Sequence, residues 1–481
     1  MESDHKLGVC AICNKIASLR CTGCKNQFYC STSHQRDDWQ RHKLMCRAWK
    51  IEENNELGRH LVATRDLNPD DLIISEAPIV WGPAPHSDKF VCVGCGSTNV
   101  AVRCPGCSWY ACKVSCDGLV DDNRHGIECK ILAKAQIIPK CDLLLILRII
   151  LLFKRNSKRW LNLSMLQSHV TKRGINTEAF EETENVIHQL EPILNTLSIS
   201  KEVVGNICGL IDVNALETNP PEGSSAIYQT ACLLEHRCLA NTRHSFTIDS
   251  KGRPKIIVTA AKSIKKGEHF STTYTHVLWA TRARREHLLA TKYFACCCDR
   301  CKDPTELNSN IGTLKCPCGP GLILAKDPLD MNTEWSCNSC PGVLTSMEVH
   351  QLTERLGEEV ENAMATAKAT VLSDLLSRLS VLLHPGHQHC IAVSHSLIQL
   401  LSPEDPKKLE LCKHILNTTS ILDPYGTRLA LYTAVALREL AACLSEDKKL
   451  YLERAVYLLK HEPPHSPGDE LRKLIEIQLS K

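Results

Sequence analysis

Residues 10–46 read CAICNKIASLRCTGCKNQFYCSTSHQRDDWQRHKLMC, and this stretch decides how the chain is built. Its Cys10, Cys13, Cys21, Cys24, Cys30, His34, His42 and Cys46 follow C-x2-C-x7-C-x2-C-x5-C-x3-H-x7-H-x3-C. A two-residue gap lets both sulfurs of a knuckle reach one ion. A three-residue gap does the same from one helical turn. Eight such ligands make two tetrahedral sites. Working outward, residues 92–129 repeat the arrangement with Cys92, Cys95, Cys104, Cys107, Cys112, Cys116, His125 and Cys129, now spaced C-x2-C-x8-C-x2-C-x4-C-x3-C-x8-H-x3-C. Phe28 and Tyr29 precede the third knuckle of the first unit, and Trp109 and Tyr110 that of the second. A patch this small cannot bury an adequate core alone, so bound metal is expected to hold each unit folded.

The rest of the composition fits an intracellular metalloprotein. The chain has 481 residues, 43% of them hydrophobic and 23% charged, with a formal net charge of +3. That length accommodates roughly three domains with real cores. The near-neutral balance gives no electrostatic case for binding nucleic acid or a membrane surface, and neither cysteine unit carries a basic helix with base-reading side chains. The 28 cysteines admit two readings, a secreted disulfide framework or thiolate ligands in a reducing compartment. Met1–Lys6 shows no apolar signal core, and the cysteines pair with histidines at regular offsets. Cytoplasm or nucleus is therefore expected. The apolar run Cys141–Phe153, broken by Asp142 and Arg148, is too short to span a bilayer and reads as a buried core helix. Lys154, Arg155, Lys158 and Arg159 read as a solvated face.

The two cysteine units resemble the MYND zinc finger, whose ligand pairs interleave. The resemblance implies that Cys10, Cys13, Cys30 and His34 hold one zinc and that Cys21, Cys24, His42 and Cys46 hold another. In the second unit it pairs Cys92 and Cys95 with Cys112 and Cys116, and Cys104 and Cys107 with His125 and Cys129. Members of that finger family often dock proline-containing peptides. For the second finger a purely structural role stands beside peptide docking. Between the fingers, Glu56–Asp66 and then Leu72–Pro78 resemble the opening strands of a SET domain, with Gly58-Arg59-His60 at its G-x-G. Leu233–Asn241 resembles the signature N-H-S-C-x-P-N, Ile264–Tyr274 the segment G-E-E-I-x-x-x-Y, and Phe294–Cys301 the post-SET loop.

A SET domain interrupted by a MYND finger is the layout of the SMYD protein-lysine methyltransferases, and the chain is similar to their arthropod branch. The resemblance implies an α+β multidomain fold. Its parts are an extra N-terminal finger (residues 1–48), the first SET strands (49–91), the second finger (92–129), a helical insertion (130–210) and the SET core (211–275). A post-SET zinc loop (276–302), a zinc ribbon (303–345) and an all-α, TPR-like domain (346–481) follow. It implies S-adenosylmethionine as methyl donor and a protein lysine as acceptor. Tyr274 would be catalytic, and Gly58, Arg59, His60, Tyr228, Glu235, His236 and Tyr274 would contact the cofactor. Cys238, Cys296, Cys298 and Cys301 would hold the post-SET zinc. Cys316, Cys318, Cys337 and Cys340 suit a further zinc, with unligated thiols as the other reading. Cys141, Cys208, Cys232, Cys297, Cys390, Cys412 and Cys443 read as small buried hydrophobes.

Four positions depart from the SET pattern. His60 stands at the second glycine, Glu235 at the signature asparagine, and Arg237 and Ala240 at its serine and proline. A weakly active or inactive adaptor, binding partner proteins through its fingers and helical domain, is therefore the alternative to the enzyme. Thr177 and Glu178 are expected to open a helix, with Pro192 near another start and Ser445 as a cap. His384, His387 and His389 are expected on a loop or helix surface. Oligomeric state is not legible.

Overall fold

A computed structural model describes residues 7–21, 27–43, 46–84, 90–122, 124–135, 141–174, 177–219, 223–250, 252–444 and 446–480. The N-terminal finger consists of two minimal hairpins, Gly8–Val9 with Ile16–Ala17 and Leu19–Arg20 with Phe28–Tyr29. A short helix, Thr32–Asp37, follows and is capped by Ser31, whose hydroxyl accepts from the His34 amide at 3.2 Å. That cap fixes where His34 sits relative to Cys30, one helical turn earlier.

The β-rich core is assembled from distant segments. Trp49–Asn54 and Gly58–Ala63 form a hairpin. Leu72–Glu76 pairs with Pro254–Ala260, which pairs in turn with Thr242–Ile248. Val80–Pro83 pairs with Ser224–Ile227, and that strand with Leu216–Thr218. Strand Pro254–Ala260 alternates buried and half-buried residues along its whole length, as a sheet with one packed face requires. Leu61, Ile74, Trp81, Tyr228, Phe246, Val258 and Phe270 fill the shared interior.

The second finger sits in a different setting from the first. Its Val93, Trp109 and Leu119 share one core with the helices Cys141–Lys154, Glu178–Leu197 and Lys201–Asn214. The apolar run at 141–153 is the buried helix expected of it, with Leu144, Leu145, Ile149 and Ile150 inaccessible to solvent. Arg148, which interrupts that run, donates to the carbonyls of Trp81 (2.6 Å) and Val93 (2.8 Å) and to Glu128 (2.8 Å). One guanidinium thus ties the helix to both the sheet and the finger. Among the described residues, no helix is long and apolar enough to cross a membrane.

Several local expectations are corrected. Pro192 lies inside the helix Glu178–Leu197 instead of near a start. Burial of Ile187, Leu190, Ile193 and Leu194, each worth roughly 1.5–3 kcal/mol, outweighs the roughly 3 kcal/mol a proline costs in a helix interior. The helical insertion runs to Asn214, past the boundary at 210. Ser445 lies outside the described residues, and the helix Lys448–Leu458 is instead preceded by Asp447 in the left-handed region (φ +61°). His387 is buried and accepts from the His389 amide at the start of Gln388–Ile398, so it is a cap and not a surface residue.

Beyond the core, Leu314–Lys315, Leu322–Ala325, Trp335–Cys337 and Val343–Leu344 form a four-stranded antiparallel ribbon. Helices Ser346–Ala365, Ala369–Leu382, Gln388–Ile398, Pro406–Leu422, Ala430–Cys443, Lys448–Leu458 and Pro467–Leu479 complete the chain, each packed on its sequence neighbour.

Candidate active site and metal centres

Among the described residues, groups of four ligands converge at several places. Cys10, Cys13, Cys30 and His34 place their ligand atoms within 4.8 Å of one another. So do Cys92, Cys95, Cys112 and Cys116; Cys104, Cys107, His125 and Cys129; Cys238, Cys296, Cys298 and Cys301; and Cys316, Cys318, Cys337 and Cys340. Sulfur separations of 3.5 Å (Cys13–Cys30), 3.8 Å (Cys92–Cys116) and 3.6 Å (Cys316–Cys340) are far longer than a disulfide bond. They match the edge of a tetrahedron around an ion with bonds of about 2.3 Å to sulfur, which is about 3.8 Å. The donor sets therefore fit zinc. For the second site of the first finger, Cys21 and Cys46 lie 3.7 Å apart and His42 is buried, while Cys24 lies outside the described residues.

Two residues that orient a ligand escaped the spacing argument. His125 presents Nε2 to Cys107 (3.2 Å), and its Nδ1 faces Glu128 (3.3 Å), which Arg148 holds in turn. A carboxylate behind an imidazole fixes its tautomer and aim. The periodicity around 128 and 148 carried no metal signal that could have disclosed this. Of the seven leftover cysteines, Cys208, Cys390 and Cys412 are buried and their thiols are pushed up to about 12 by burial. Cys297 is instead exposed, between two ligands. For Cys141 the described part is its helical backbone alone.

The SET-like site is built by threading. Glu235–His236 pairs in parallel with Ser271–Thr272, and the strand Gly58–Ala63 closes the other side through Phe270 N–H to the Leu61 carbonyl (2.9 Å) and Ala63 N–H to the Glu268 carbonyl (2.8 Å). Asn241 clamps the crossing. Its Oδ1 accepts from the Ser271 amide (2.8 Å) and its Nδ2 donates to the His269 carbonyl (2.8 Å). Beneath it, the Glu76 carboxylate accepts from the amides of Gln229, Thr230 and Ala231 at 3.0–3.2 Å, and its pKa is nonetheless raised by burial. Nothing in the local sequence around 76 distinguishes that role.

This threading brings His236 and Tyr274 together. The Tyr274 amide donates to His236 Nδ1 (3.0 Å), and the two rings lie 5.2 Å apart. The Tyr274 hydroxyl donates to the Leu234 carbonyl, and burial holds it well above the usual phenol range. His236 Nε2 lies 3.5 Å from Cys238 of the post-SET cluster, and burial lowers the imidazole to about 4. Phe294 adds a third ring at 5.9 Å from His236.

Glu235 is buried and fully engaged. Arg237 Nε donates to one oxygen (3.0 Å) and His269 Nδ1 to the other (2.9 Å). The His60 ring lies 4.5 Å from that of His269. His60 Nδ1 donates to the Gly58 carbonyl (2.9 Å), and its buried Nε2 has no partner. Gly58 itself, at φ +62°, has open space where a side chain would begin. Arg59 donates to the Met165 carbonyl.

Tyr228 is corrected. It is inaccessible to solvent, packs against Phe246 and donates its hydroxyl to the Pro254 carbonyl at 2.8 Å, so it serves the sheet core and not a ligand.

The family model for the MYND finger matches residues 10–46. The SET domain-containing protein SmydA-8, isoform B, of Drosophila melanogaster is 27% identical over 318 residues, covering 62% of this chain and 67% of that protein. Histone-lysine N-methyltransferase ASHR1 of Arabidopsis thaliana is 23% identical over 352 residues, covering 65% and 68%. N-lysine methyltransferase SMYD2-B of Xenopus laevis is 25% identical over 268 residues, covering 52% and 60%. The chain thus spans about two thirds of the length of the curated relatives it matches.

Proposed function

From the premise that this chain is a SET- and MYND-domain protein of the SMYD group, on its arthropod branch, we propose that it is an S-adenosylmethionine-dependent protein-lysine N-methyltransferase. The observation that carries the reading is the junction of His236 and Tyr274, reached only by threading residues 264–274 between the first strands and the signature segment. Relatives named as N-lysine and histone-lysine methyltransferases support it.

S-adenosylmethionine supplies an electrophilic methyl group. The chain's own residues supply placement. By the resemblance to the SET pattern, Gly58, Arg59, His60, Glu235 and His236 would line the cofactor's place, with Glu235 held in position by Arg237 and His269. Tyr274, Phe294 and His236 gather into a cluster of rings, and an apolar wall of this kind would favour the uncharged lysine amine. The Tyr274 hydroxyl, held by the Leu234 carbonyl, keeps a fixed orientation toward the reacting groups and stabilises polarity as it develops. The closed four-ligand zinc sites staple the loops that carry these residues.

Isothermal titration of the zinc-loaded chain with S-adenosylmethionine tests the reading. Roughly micromolar affinity supports it, and Tyr274→Phe should then lower turnover on a lysine substrate about 10²–10³-fold without changing the fold. Absent binding that His60→Gly with Glu235→Asn restores would overturn it.

One observation favours the adaptor reading. The first finger leaves Leu7, Val9, Ile12, Ile16, Leu19 and Trp39 exposed, whereas the second packs Val93, Trp109 and Leu119 into a core shared with the helices and exposes Val114 and Val120. A proline-containing peptide partner for the first finger is the corresponding proposal. Loss of peptide capture on Ile16→Asp, with zinc content unchanged, is its expected signature.

A further inference from the structure

Around the post-SET cluster the structure buries more positive charge than its side chains neutralise. Arg284 and Arg300 are 0% and 1% exposed, Arg285 is 8% exposed, and the carboxylate among them is Glu306, at 4%. Arg284 donates to Glu306 (2.6 Å), to Thr281 (2.9 Å) and, through Nη2, to the sulfur of Cys301 (3.3 Å). Arg300 donates to Glu306 (2.9 Å) and to the Trp279 carbonyl (3.1 Å). Arg285 donates to the carbonyls of Cys296 and of Leu329, the latter at 2.7 Å. Nε of Arg284, Nε of Arg285 and Nη1 of Arg300 are buried without partners.

Three guanidiniums against one carboxylate leave two positive charges in excess. The counter-charge these arginines touch beyond Glu306 is the ligand sulfur itself, through the contact of Arg284 with Cys301. Four thiolates on one divalent ion carry a net charge of −2, which cancels that excess. Unpaired buried charge is among the most unfavourable features a fold can hold, so the balance is a strong constraint.

We propose that Arg284 and Arg285 are positioning residues for the post-SET metal, charge-matched to a tetrathiolate complex of a divalent, thiophilic cation. Loading that site also secures the seam between the SET core and the C-terminal half. The seam is physical. Glu306 accepts from the Thr281 amide (2.6 Å) at the start of the helix Thr281–Lys292, and Arg285 reaches the ribbon at Leu329. Arg282, on the same helix, donates to Ser346 (2.6 Å) at the head of the C-terminal helices. The proposal requires a loaded cluster and is independent of whether the protein transfers methyl groups.

The test uses the full chain loaded with ¹¹³Cd. The resonance lost in Cys298→Ser identifies the post-SET ion. Arg284→Met is expected to shift that resonance alone, because one N–H···S hydrogen bond is removed, and Arg284→Lys to restore most of the shift. In chelator competition, Arg284→Met and Arg285→Met should each weaken retention of that ion about 10- to 100-fold, the range for a residue that orients a metal ligand. Glu306→Gln, which enlarges the positive excess, should slow its release. A purely architectural role predicts faster release in all three variants. That result, an unmoved resonance, or no resonance lost in Cys298→Ser would each overturn the proposal.

Discussion

Single residues divide here between those that touch chemistry and those that hold the frame, and substitutions separate the two. Tyr228 is buried and Tyr274 half-buried, both near the signature, yet they face opposite tasks. Tyr228→Phe should cost about 1–3 kcal/mol of stability, because the Pro254 carbonyl loses its donor, while cofactor affinity stays unchanged. Denaturant midpoints read beside titration calorimetry check this. Tyr274→Phe strips a carbonyl of its donor as well, that of Leu234, so loss of turnover and not of stability is what sets it apart. Which tyrosine belonged to which class was not legible in sequence. Tyr228 precedes the signature at a plausible distance, and only its 0% exposure reveals that no ligand reaches it. Glu235 and His60 were legible as departures from pattern. Their coupling through His269 was not, since positions 60, 235 and 269 meet only through threading.

At the scale of elements, the helix Cys141–Lys154 is held by a polar residue in an apolar run. Arg148→Met keeps the volume but leaves Glu128 buried without its cation, for an expected loss of about 3–5 kcal/mol. The same change releases His125 from its orienting carboxylate, so the second finger should lose one zinc to a chelator faster than the other. Zinc counting during thermal unfolding would show both effects. Pro192→Ala should raise the unfolding midpoint, by up to about 3 kcal/mol equivalent, because a helix-interior proline forgoes a backbone hydrogen bond. A lowered midpoint would mean that the proline's packing matters more than its missing amide. The sequence disclosed the start of this helix through Thr177, which accepts from the Phe180 amide, but it misread Pro192 because burial on the far face overrides a local breaker.

Across the whole molecule, the C-terminal helices are fastened to the SET core by a polar seam. Arg428 donates to His244 Nε2 (2.9 Å), and Asp70 takes both Lys460 (2.6 Å) and His461 (2.8 Å). Burial, with Arg428 beside it, lowers His244 to about 3, so it accepts as a neutral imidazole. The stability it contributes is complete above its unfolded value near 6.5 and is lost as pH falls toward the folded value. Thermal unfolding at about pH 5 should therefore show a loss of at most about 2 kcal/mol relative to about pH 7 from this group. His244→Gln should remove that share of the pH dependence. The sequence by itself disclosed the two cysteine units and the helical end, which are written in short spacings and local periodicity that chain connectivity holds together, while the ligand pairing and the order of the SET segments came through resemblance to a known family. The tertiary structure alone decided which tyrosine meets His236, how Glu235 is paired, that the second finger shares a core with the neighbouring helices, and that three arginines surround one four-cysteine site. Those facts depend on side chains hundreds of positions apart, brought together by burial and charge balance, which leave no periodic mark on the sequence.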